Sequence, residues 1–190
     1  MKKEPDPNPN KEAFAVVGEL VMISTALDQL LNRVLITVLD LGDAPLLEPV
    51  IATLDTRLKA EILKARAAQI HGKQHAVEWK KRVKQFCDKV ESVSHQRNIA
   101  CHIPPVLEAG VWAFRPVAAA KLLKNLNLTT KSLPNFSLND LKTAIDTAEQ
   151  ALGAGMNIIE NFQRANAEIK RRTAPTAAGA HRPVPEANGN

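Results

Sequence analysis

Apolar residues recur at steps of three and four along most of the chain. Between residues 11 and 41 the stripe Val17, Leu20, Val21, Leu27, Leu31, Val34, Leu35 and Val38 has the spacing of an amphipathic helix. Gly42 and Pro45 are expected to end it, the glycine at the first position past the helix and the proline behind it. Residues 46 to 52 carry no clear period, and a short helical turn is the expectation. A second helix is predicted over 53 to 70, with Leu54, Leu58, Ile62, Leu63 and Ala65 inward, and His71-Gly72-Lys73 forms the turn after it. A third runs from 75 to 102 and buries Trp79, Val83, Phe86, Cys87, Val90 and Val93. The same helix carries a polar line, Asp88, Glu91, His95, Asn98 and His102, whose steps of three and four keep it on one face. Pro104 and Pro105 stop this helix, since the residue before a proline is pushed out of the α region.

The helical pattern breaks between 103 and 135. Residues 106 to 116 read as a small β-hairpin or extended flap with Gly110 at its turn, 118 to 126 as one short helix, and 127 to 135 as loop. The last helix has the clearest start: Ser137 as cap, Asp140 three residues on as its acidic partner, and Phe136 facing Leu141 as a hydrophobic staple. Its stripe of Leu141, Ile145, Ala148, Leu152, Met156, Ile159 and Phe162 carries it to about residue 170. The fold class expected is therefore all-α: an up-down bundle of four main helices with a short β-hairpin or flap between the third and fourth. One domain is expected over 11 to 172, between disordered tails at 1 to 10 and 173 to 190.

Composition narrows this picture. Among 190 residues there are two Trp, five Phe and no Tyr, so the core must come from Leu, Ile, Val and Ala, which favours helices. The net charge is +5, compatible with a nucleic-acid partner, although Lys170, Arg171, Arg172 and Arg182 near the C-terminus supply part of it. The two cysteines, Cys87 and Cys101, are fourteen positions apart on one helix and cannot bridge each other. Reduced thiols and a cytoplasmic location follow as the expectation. The start is charged and proline-rich, unlike a signal peptide, and Glu19, Asp28, Arg33 and Asp40 interrupt the apolar run from 16 to 41, so no membrane span is expected.

The chemistry concentrates at Arg97-Asn98-Ile99-Ala100-Cys101-His102. A permanent cation, an amide and an imidazole stand together at a helix end. An imidazole with a reference pKa near ~6.5 exchanges protons at neutral pH, and a guanidinium offers a forked donor to phosphate oxygens. A helical step of five residues turns about 500°, leaving Arg97 and His102 roughly 140° apart on a regular helix. Either the last turn is distorted or a second subunit completes the site. Each residue also has a plainer reading: Arg97 can pair with Glu91 or with a carboxylate on the last helix, and His102 can cap its helix end. Asp88, Glu91 and His95 read as a solvated face, and two i,i+4 ligands do not make a metal site. On the flap, Trp112, Phe114 and Arg115 either stack bases or cover the end of the bundle. Lys121, Lys124 and Lys131 offer backbone contacts at most. No Walker loop, dinucleotide fingerprint, GxSxG elbow or CxxC pair is present, which excludes the common enzyme classes those mark.

The six residues from Arg97 to His102 resemble the R-x4-6-H motif of the HEPN superfamily, including the polar residue directly after the arginine. Their place near the end of the third long helix is similar too. Arg66-Ala67-Ala68-Gln69-Ile70-His71 also fits R-x4-H, but it lacks that polar residue and ends the second helix. The resemblance implies a homodimer in which two motifs face one cleft, acting as a metal-independent endoribonuclease in toxin–antitoxin or phage-defence systems. It implies His102 as general base or acid, Arg97 on the scissile phosphate, and Asn98 orienting either. Products with 2′,3′-cyclic phosphate and 5′-hydroxyl ends, no cofactor, and RNA and a cognate antitoxin as partners complete the implication. The alternative is a non-catalytic helical module for dimerisation or for binding a partner or RNA, with Glu91, His95, Trp112 and Arg115 as candidate contacts.

Overall fold

In a computed structural model the described residues are 11–42, 46–69, 74–103, 105–108, 110–114 and 136–173. The expectations for both tails, for Pro45, for the turn at 71–73, for the segment 115–135 with Arg115 and its three lysines, and for His75 as a side chain lie outside them.

Five helices and a small sheet make up the described chain. They are α1 (Lys11–Val38), α2 (Leu47–Thr53), α3 (Thr56–Ala68), α4 (Gln74–His102), β1 (Pro105–Glu108), β2 (Val111–Phe114), β3 (Phe136–Ser137) and α5 (Leu138–Thr173). The fold is thus mostly helical with an antiparallel sheet. The short turn expected near 46–52 is α2. α1 packs along α5, α4 packs on both α3 and α5, and the sheet rests on α5. Leu20, Leu27, Leu31, Leu35, Leu63, Phe86, Val90 and Leu141 fill the core between them. α1 is long and apolar enough to cross a membrane by length and composition, and its inner stripe is the middle of this core.

Four expectations change. α1 ends at Val38, short of Gly42, and Asp40 takes the left-handed position at φ 54°. The Asp40 N–H donates to the Thr37 carbonyl at 3.2 Å and the Leu41 N–H to the Ile36 carbonyl at 2.9 Å, the paired bonds of a Schellman ending. Half-buried Leu41 and Ile36, both packed on the core, hold that ending in place. Asp40→Gly should therefore stabilise the protein by about 0.5 kcal/mol, read as a higher urea midpoint, because an L side chain is strained there.

α3 begins at an Asp55 cap whose carboxylate accepts the Leu58 N–H at 2.7 Å. That start turns Lys59, Ala60, Leu63 and Ala67 inward and leaves Leu58 and Ala65 exposed. In α5, Met156 is exposed and Gly155 takes the inward place instead. A Cβ on Gly155 would stand 2.6 Å from Leu30 Cδ2 and 2.9 Å from Phe86 Cε2, so the three helices meet where only glycine fits. Gly155→Val should cost about 2 kcal/mol by overpacking, measured by chemical denaturation.

The flap is a three-stranded sheet, not a hairpin alone. β1 and β2 pair from Pro105↔Phe114 to Glu108↔Val111, with Gly110 turning at φ 81°. β3 adds Ala113↔Ser137 and Phe114↔Phe136. Ser137 also closes the capping box read from the sequence: its N–H donates to Asp140 Oδ2 at 2.7 Å and its Oγ accepts the Asp140 N–H at 3.2 Å.

Candidate functional site

α4 carries the motif, and it is an unbroken α-helix to His102, with the Ile103 N–H still donating to the Ile99 carbonyl at 3.0 Å. The helical step therefore holds, and the two ends of the motif open onto different hollows. Arg97 and Asn98 line a groove of about 440 Å³ with Ser24, Asp28, Thr56, Arg57 and Ser94. His102 lines a second hollow of about 360 Å³ with Phe14, Val17, Cys101, Ile103 and Pro105. One chain brings Arg97 and Asn98 together and sets His102 apart.

The plainer reading of Arg97 does not hold with Glu91. Glu91 Oε1 accepts from Lys64 Nζ at 2.8 Å, and Asp88 lies 3.5 Å from the same ammonium. That hydrogen bond, ahead of the attraction to Asp88, raises the Lys64 pKa from its ordinary value. Among the described residues Arg97 forms no ion pair, and its half-buried side chain has an Nε closed to solvent and without a hydrogen-bond partner. Asn98, His95 and His102 are exposed. Among the described residues no carboxylate or carbonyl contact ties His102 down as a structural histidine.

Trp112 is buried, with Phe114 two residues on at the same face of β2, and Phe114 belongs to the core. Among the described residues no group of three or more His, Cys, Asp or Glu side chains gathers as a metal ion would require. The two thiols differ. Cys101 is exposed beside His102, whereas Cys87 is buried and donates to the Ala60 carbonyl at 3.7 Å. Burial pushes the Cys87 thiol up to about 12, only partly offset by Lys64. At neutral pH a thiol reagent should label Cys101 quickly and Cys87 only on unfolding, read by mass spectrometry. An unfolded thiol ionises from 9.0 while the folded one stays protonated, so this contribution to stability is present below 9.0 and is lost as pH rises to about 12.

The sequence singled out Arg97 and Asn98 but not the side chains that share their groove. Ser24, Asp28 and Arg57 come from α1 and α3, and the one signal for them was Asp28 as one of the charges that interrupt the apolar run of α1.

The class these features define is a mostly helical bundle with a small antiparallel sheet and a polar groove of mixed charge near the end of its fourth helix. Comparison with protein-family models, with curated proteins and with solved structures found no match.

Proposed function

We propose that this chain is a HEPN-like, metal-independent endoribonuclease of the toxin–antitoxin or phage-defence type. In this reading its four long helices run up and down, and it works in the cytoplasm as a homodimer. The observation that carries the reading is Arg97: a guanidinium set half-buried in a groove, without an ion-pair partner among the described residues, beside exposed Asn98 and one and a half turns before exposed His102. A cation kept unneutralised in a recess is arranged for an anion from outside.

RNA supplies its own nucleophile. His102 of one subunit takes the proton of a ribose 2′-OH, and the 2′-oxygen attacks phosphorus. The bond from phosphorus to the 5′-oxygen breaks, and that leaving oxygen takes a proton from water, so one imidazole and one guanidinium suffice for a site. Arg97 holds the phosphate and offsets its growing negative charge, with Asn98 steadying it. The separate hollows of Arg97 and His102 favour a site completed by a second copy. α1 lines both hollows, and along it Phe14 is 57% and Met22 76% exposed. Met22→Glu should convert the dimer to a monomer in analytical ultracentrifugation.

The test is incubation of a mixed single-stranded RNA pool with the purified protein in EDTA. Cleavage to cyclic-phosphate ends, absent with His102→Ala, is the expected result. No cleavage above the variant's level at high protein concentration would overturn the nuclease and favour the non-catalytic binding module.

A further inference from the structure

The groove beside Arg97 holds more chemistry than one phosphate contact uses. It lies where α1, the link from α2 into α3, and α4 meet. Its polar groups are of opposite kinds. Arg57 and Arg97 are cationic, while Asp28 is an acceptor. The Asp28 carboxylate receives Lys59 Nζ at 3.0 and 3.1 Å and the Thr56 hydroxyl at 3.3 Å, yet its side chain remains 40% exposed to the groove side of the molecule. Half-buried Leu54 supplies the apolar surface of the groove, over the buried side chains of Leu27, Val90 and Val93.

Two enclosed polar atoms on this one groove lack partners. Ser24 is 9% exposed, and its Oγ, like the Arg97 Nε, is closed to solvent with no hydrogen bond. Neither atom faces the open groove, so a ligand there meets exposed Arg57, the half-buried Arg97 side chain and the open part of Asp28 instead. A bare anion fits poorly, because Asp28 and Asp55 stand on the same groove. A neutral apolar molecule leaves both arginines unanswered. A molecule with a phosphate, a flat apolar face and N–H donors answers all three surfaces, and about 440 Å³ accommodates one such unit rather than a helix or a duplex.

We infer that this groove is a subsite for a single nucleotide. Its phosphate lies on Arg57 and Arg97, its base lies against Leu54, and an N–H of the base donates to Asp28. The inference rests on the reading of Arg97 as a phosphate holder and deepens it, by giving the RNA a base contact on the link from α2 into α3.

The test is calorimetric titration of the full chain with the four nucleoside 5′-monophosphates and with inorganic phosphate. At least one nucleotide should bind saturably and roughly tenfold tighter than phosphate. Arg57→Gln, at an exposed position, should weaken it roughly tenfold. Ser94→Trp, which fills the groove, should abolish it while circular dichroism stays unchanged. Equal binding of nucleotides and phosphate, no saturable binding at millimolar ligand, or binding untouched by both variants would each overturn the subsite. RNA cleavage without nucleotide binding removes the subsite and leaves the nuclease standing. Nucleotide binding without cleavage does the reverse.

Discussion

Asp28→Ala is expected to lower folding stability by about 3 kcal/mol, whereas Lys59→Met should cost less than half as much. The asymmetry comes from burial. The Lys59 side chain is 1% exposed and Asp28 is 40% exposed, with both carboxylate oxygens within 3.0 and 3.1 Å of the ammonium. Removing the carboxylate leaves a charge enclosed between α1 and α3. Removing the ammonium leaves a carboxylate that water and the Thr56 hydroxyl still solvate, and Met keeps most of the packed stem. Exposure of Asp28 sets the loss at the lower end of the range for broken buried pairs. Urea unfolding of both variants checks this, and equal losses, or a larger loss for Lys59→Met, would contradict the desolvation argument. The pair also sets the groove, since it holds Asp28 at its wall.

The second large effect is catalytic. His102→Ala should reduce RNA cleavage by about 10²- to 10⁴-fold, the usual contribution of a positioned acid or base. Its stability should change by no more than about 0.5 kcal/mol, because His102 is exposed and makes no contact that the fold needs. Arg97→Ala should reduce cleavage comparably but destabilise slightly more, as its stem is half-buried. Single-turnover rates alongside urea midpoints separate the two. A cleavage loss matched by unfolding would mean a structural role, and unchanged cleavage would remove His102 from the chemistry.

What was legible in the sequence was whatever a local rule decides. The stripe from Val83 to Val93 reads as α4 because five residues spaced by three and four declare one face, and all five of Val83, Phe86, Cys87, Val90 and Val93 are buried. Ser137 and Asp140 read as a capping box because both partners lie within one turn. Gly110 reads as a turn because the hairpin needs a positive φ. Elsewhere, distant residues decided. Met156 fits the stripe of α5, but the approach of Leu30 and Phe86 gives its place to Gly155. β3 is two residues long, too short for any period, and is a strand only because Phe114 and Ala113 lie opposite. Glu91 shares a helix with Arg97, yet Lys64 of α3 claims it. The same limit applies to the site. Arg97 and Asn98 are adjacent in the chain and were found; Asp28 and Arg57 reach the same groove from other helices, and no spacing rule links them to residue 97.

The central claim is that the site is shared between two copies, and mixed dimers test it most directly. Arg97→Ala and His102→Ala proteins, each inactive alone, are unfolded together, refolded, and assayed on RNA in EDTA. If one subunit's arginine serves the other's histidine, the mixture regains cleavage with cyclic-phosphate ends. The regained activity should disappear when both chains also carry Met22→Glu. A mixture as inactive as its components, with mixed dimers shown by native mass spectrometry, would contradict the shared site.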